Sequence, residues 1–137
     1  MDSRPRFRPP LAFATLVLLL SACAHAPQRN PLAEWVPSPN FDARRPQLIV
    51  LHATEQQSAA ESLHTLRTRN SKGPVSAHYL VGDDGRIYQL VADADRAWQA
   101  GAGRWGTMTE LNSASIGIEI DNARGEPYTE PQLAALL

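Results

Sequence analysis

The order of periodic segments predicts an α/β fold, a mixed β-sheet flanked by helices. Three observations carry this. Residues 48–51, LIVL, form a short unbroken apolar run. Residues 77–91 read AHYLV, GDDG, RIYQLV, two strand-like runs around a turn signal. Residues 115–120, SIGIEI, alternate with period two. Helical patterns lie between and after these runs, so strands and helices interleave.

The N-terminus precedes the fold. Arg4, Arg6 and Arg8 make a cationic start, Leu11 to Leu20 is apolar, and the small residues Ser21 and Ala22 follow. That three-part layout is a secretory signal, expected over residues 1–22. The nearly unbroken ten-residue apolar run, at ~1.5 Å per residue, spans about 15 Å, half of a bilayer's ~30 Å core, too short for a stable span. Cys23 is the only cysteine among 137 residues, so no disulfide forms within the chain. Leu20-Ser21-Ala22-Cys23 resembles the lipobox of bacterial lipoproteins, which makes Cys23 a candidate for lipidation. The other reading is a lone cysteine that happens to lie near a cleavage site. Ala24 after the cysteine resembles the pattern sorted to the outer membrane, so a periplasmic, lipid-anchored location is expected. Residues 23–45 carry many prolines and no apolar period, and read as a tether. Trp35, Val36 and Phe41 are too apolar for a pure linker and suggest some packing on the domain, which is expected over residues 46–137. A net charge of −1 argues against nucleic acid as a partner.

Within the domain, Leu48 to Leu51 reads as a strand buried on both faces and interior to its sheet. Ser58 and Glu61 have capping-box spacing, and Ala59, Leu63 and Leu66 share one helical face, which predicts a helix over 59–69. Residues 92–114 hold three glycines, Trp98 and Trp105 without a regular period, and read as a long functional loop. In SIGIEI the isoleucines take one face, Gly117 and Glu119 the other. Thr129, Pro131 and Gln132 open a last helix.

Few residues suit chemistry. His52 follows the first apolar run and shares a strand face with Leu48 and Val50. An imidazole at a strand's C-terminal end suits a zinc ligand or a hydrogen-bonded core histidine. Glu119 has open space beside it, because Gly117 precedes it on the same face. In a shielded cleft its pKa would rise and it could act as a general base; the alternative is a strand residue facing water. His78 opens a strand and reads, by itself, as half-solvated. His64 lies off the leucine stripe and reads as exposed. Trp98 and Trp105 suit stacking platforms or edge plugs.

Taken together, LIVLHAT, GPVSAHYLVGDDGRIYQLV, RAWQAG and NSASIGIEIDN, with the short helix between the first two, resemble the zinc-dependent type 2 N-acetylmuramoyl-L-alanine amidases, relatives of phage amidases and peptidoglycan recognition proteins. The resemblance runs from about Pro46 to Leu137, and the lipoprotein-like start resembles the outer-membrane branch. It implies the amidase/peptidoglycan-recognition-like fold, with peptidoglycan muropeptides as partners and zinc as cofactor. It implies hydrolysis of the amide between N-acetylmuramic acid and L-alanine. It makes His52 a zinc ligand, Glu119 the catalytic residue and His78 a substrate-binding position in the cleft. Two departures stand out. Gln99 occupies the histidine position of the family's AWHAG segment and cannot carry a proton. The family's second and third zinc ligands, a histidine and then an Asp or Cys, come from a later segment with no counterpart before Leu137, so a C-terminally truncated domain of impaired activity is expected. The alternative is a peptidoglycan-binding lipoprotein that does not hydrolyse its ligand.

Overall fold

The computed structural model describes residues 29–43 and 45–137. The elements in chain order are β1 (Glu34–Trp35), β2 (Phe41–Ala43), β3 (Leu48–Ala53), α1 (Ala59–Arg67), β4 (Tyr79–Val81), β5 (Ile87–Gln89), β6 (Asp95–Ala97), α2 (Leu111–Ala114), β7 (Ser115–Ile120) and α3 (Glu130–Ala135). Five strands form one mixed sheet in the order β1-β5-β4-β7-β3, and β2 pairs with β6 in a small second sheet. The expected class, a mixed sheet with flanking helices, is the observed one.

The capping signals act locally, in full at α3 and in their first half at α1. The Ser58 hydroxyl accepts the Glu61 N–H at the start of α1, while the Glu61 carboxylate accepts the Gln57 N–H. The helix stops at Arg67, so Arg69 lies beyond it. At α3, Thr129 and Gln132 complete both halves of a capping box, with Pro131 in the first turn. The β4–β5 hairpin turns through Gly82 to Arg86, and Gly85 takes a left-handed φ of 77° that a side chain would resist.

One expectation about the first strand is overturned. Among the described residues β3 is an edge strand of the main sheet, not an interior one, because it pairs there only with β7. Its residues alternate between half-buried and exposed, with Ile49 67% and Leu51 55% exposed. An apolar residue at every position implied two covered faces. Only the side of Leu48, Val50 and His52 is shielded among the described residues. The interior positions go to β5, β4 and β7, and β4 is buried at every residue.

The proline-rich segment is also more than a tether. β1 adds to β5 in parallel, and β2 pairs antiparallel with β6. Side chains fasten the stretch between them. The Ser38 hydroxyl donates to the Leu66 carbonyl, and the Asn40 amide donates to the carbonyls of Thr68 and Val75. The loop expected over 92–114 likewise contains β6 and α2. These strands are two or three residues long and find partners about fifty residues away, which local patterning cannot report.

The core lies between α1 and the sheet, where Leu66 meets Ala77, Leu80, Leu90, Val91 and Ala97. Across the sheet, Leu80, Glu119 and His52 are successive register partners. One face therefore grades from packed core at β4 to a polar pair at the β7–β3 edge. On the opposite face Ile49 pairs with Ile116 and Leu51 with Ile118.

Candidate active site

Period-two alternation puts His52 and Glu119 on the same face of adjacent parallel strands, directly in register. Both line a cleft of about 400 Å³, walled also by Thr65 and Leu66 of α1 and by Trp98 and Gln99. Burial pushes the Glu119 carboxyl above its ordinary range, and the facing His52 imidazole offsets part of that rise. A carboxylate held in this state takes up a proton more readily than a solvated one, as a general base requires.

Gln99 follows β6 and reaches over β7. Its side-chain oxygen meets His52 Nε2, and its Nε2 donates to Ser115 Oγ at 2.7 Å. The space that Gly117 leaves beside Glu119 is filled by this side chain: a Cβ at position 117 would stand 2.6 Å from Gln99 Cγ.

Behind the pair lies a second polar row that sequence reasoning missed. Asp121 is buried and accepts from the hydroxyls of Thr54 and Ser62. Thr54 also receives the N–H groups of Gln56 and Asn122. Burial raises the Asp121 carboxyl, Asp83 adds to the rise, and the two hydroxyls oppose it. The row ties the ends of β3 and β7 to α1. The available signal was periodicity: Thr54 and Asp121 each stand two residues beyond His52 and Glu119, on the same strand faces. At the rim Glu55 adopts a left-handed φ of 52° and pairs with Arg124 at 2.8 Å.

His78 does not reach the cleft. Its ring is fully buried, Nδ1 accepts the Gly117 N–H at 2.9 Å, and Nε2 donates to the Asp95 carbonyl at 3.0 Å. It is a core histidine that bridges β7 to β6, which corrects its expected half-solvated placement. The reason is its place: it leads directly into β4, an interior strand, so it is covered rather than half-solvated. Trp98 lines the cleft, whereas Trp105 is 71% exposed and stands apart from it. His64 is exposed, as expected. Cys23 and His25 lie outside the described residues.

A catalytic zinc takes three protein ligands. No group of three His, Cys, Asp or Glu able to hold a metal is found among the described residues. His52 beside Glu119 does not by itself make such a site.

A family model described as N-acetylmuramoyl-L-alanine amidase matches residues 42–137. The amidase AmiD of Escherichia coli K12 is 39% identical over 109 residues, covering 68% of this chain and 38% of AmiD. A crystal structure of a selenomethionine derivative of AmpD superposes with a TM-score of 0.66 at 31% identity, covering 79% of this chain and 73% of that one. A complex of E. coli AmiD with its substrate anhydro-N-acetylmuramic acid-L-Ala-D-γ-Glu-L-Lys superposes with a TM-score of 0.57 at 32% identity, covering 80% and 43%. The chain spans between 34% and 67% of the length of the curated relatives it matches.

Proposed function

Because the chain belongs to the N-acetylmuramoyl-L-alanine amidase family, we propose that it acts on muropeptides, hydrolysing the amide that joins the lactyl group of N-acetylmuramic acid to L-alanine. The observation that carries this reading is the register pair His52–Glu119 on one wall of the cleft. The AmiD complex supports the substrate class, since its ligand is an anhydro-muramyl peptide. Glu119 takes a proton from the attacking water as the water oxygen bonds to the carbonyl carbon. It returns that proton to the nitrogen as the C–N bond breaks, leaving a lactyl carboxylic acid, which keeps the water's second proton, and a free L-alanine amine. Trp98 offers the cleft an aromatic face for the sugar or peptide.

Zinc is the cofactor that the resemblance implies, with His52 as the residue that would contact it. The described residues supply too few donors for a catalytic zinc, so the proton path runs through Glu119 alone. The test is release of stem peptide from an anhydro-muramyl tripeptide, followed by chromatography. Replacing Glu119 by Gln keeps the shape and removes the base, so a loss of about 10²- to 10⁴-fold is expected. The unmodified chain should lose activity on acidification at a pH above the ordinary glutamate range, because burial raises the carboxyl that must be ionised. Equal rates for the chain and Glu119→Gln would reject the assignment. Retention of the muropeptide without any release would favour the binding-only reading.

We also propose that Cys23 carries the lipid that holds the protein at the periplasmic face of the outer membrane. Among the described residues no helix is long and apolar enough to cross a membrane. Cells fed radiolabelled palmitate should yield labelled protein, and Cys23→Ser should remove the label entirely. Undiminished labelling in that variant would sink the proposal.

A further inference from the structure

The Gln99 side chain sits in a chain of hydrogen bonds whose direction is set at one end. The Leu111 carbonyl can only accept, and it takes the Ser115 hydroxyl proton at 2.5 Å. With its single proton committed there, Ser115 Oγ accepts from Gln99, so the NH₂ end of the amide must face Ser115. The carbonyl end of the same amide then faces His52 Nε2. A carbonyl oxygen cannot donate, so His52 Nε2 must carry a proton.

The amide is held in that pose from several sides. The N–H groups of Gln99 and Ala100 both donate to Asn112 Oδ1, at 3.0 and 2.7 Å, which fixes the backbone at its base. Its Cγ lies over Gly117, in space that no other residue type would leave free. A flip of the amide would place its oxygen against Ser115 Oγ, whose proton is already given to the Leu111 carbonyl, and lose that bond.

We propose that Gln99 is a positioning residue that holds His52 as the Nε2–H tautomer, through the ordered path from Leu111 to Ser115 to Gln99 to His52. In the neutral ring the lone pair is then confined to Nδ1, which becomes the ring's only electron-pair donor. The importance of that atom for catalysis rests on the amidase reading above; the tautomer itself does not.

The test is long-range ¹H–¹⁵N NMR on the full chain labelled at histidine, above the pH at which imidazole is charged, with His52 assigned by its absence in His52→Gln. The expected result is an Nε2–H signal from His52 that exchanges slowly with water. Gln99→Leu and Ser115→Ala should both lose that protection. Gln99→Glu keeps an acceptor opposite the ring and should retain the signal, which a general loosening of the loop would not do. An Nδ1–H tautomer in the unmodified chain would overturn the proposal, as would an Nε2–H signal unchanged in both Gln99→Leu and Ser115→Ala. Because the readout is spectroscopic, an inactive chain with the expected tautomer would reject the amidase reading and leave this assignment standing.

Discussion

A single missing side chain at position 117 organises the polar residues around it. Gly117 gives its N–H to His78 on one side and its empty Cβ position to Gln99 on the other. Gly117→Ala would set a methyl 2.6 Å from Gln99 Cγ, well inside van der Waals contact. Gln99 would have to leave its place between His52 and Ser115. We expect a stability loss of about 1–3 kcal/mol, the usual cost of overpacking, measured by denaturant unfolding. An unchanged midpoint would mean that the loop gives way freely. His52 and Glu119 were legible because each lies in a run whose alternation assigns its face. His78 was not. The sequence places it at the start of a strand, but only the sheet order tells whether that start is covered.

At the level of elements, the Asp121 row couples β3, β7 and α1 close behind the cleft. Asp121 accepts from Thr54 and Ser62, and its backbone carbonyl takes the Gln132 amide of α3 at 2.5 Å. The folded state raises the carboxyl, chiefly through burial, so it holds the proton more tightly than the unfolded chain does. Stability from this group is present at low pH and is lost as pH climbs from the ordinary carboxylate range through the raised value. Asp121→Asn removes the titration, so its melting temperature should depend less steeply on pH across that interval, as followed by circular dichroism. A steeper dependence in the variant would show that the sign is wrong. The capping signals of α1 and α3 were readable because a cap acts within one helical turn. The end of α1 at Arg67 rather than Arg69 was not, since the turn that follows is held by long-range bonds from Asn40.

For the whole molecule, residues 30–43 wrap one end of the fold and join both sheets. Ser38 and Asn40 bond to the end of α1 and the loop after it, and β1 extends the main sheet beyond β5. A chain that starts at Pro46 would lose β1 and β2 and bare the carbonyls they satisfy. Its melting temperature should fall by several degrees, on the scale of ~4–8 °C per kcal/mol for a domain of this size. An identical melting curve would return this segment to the status of a tether. Proline content and the lack of a period argued for a tether. Two- and three-residue strands carry too little pattern to argue back.

By itself, the sequence determined what local chemistry determines. It set the strands and helices β3, α1, β4, β5, β7 and α3, the caps of α1 and α3, the shared face of His52 with Val50, the shared face of Glu119 with Gly117, and the family resemblance that these runs carry. Tertiary structure alone decided that β3 lies at an edge, that His78 is sealed in the core, that the N-terminal arm belongs to the fold, and that Gln99 fills the gap over Gly117. The physical reason is the range of the interactions. Periodicity and capping act over a few neighbouring residues, whereas burial and hydrogen-bond partners depend on segments that meet only once the sheet has formed.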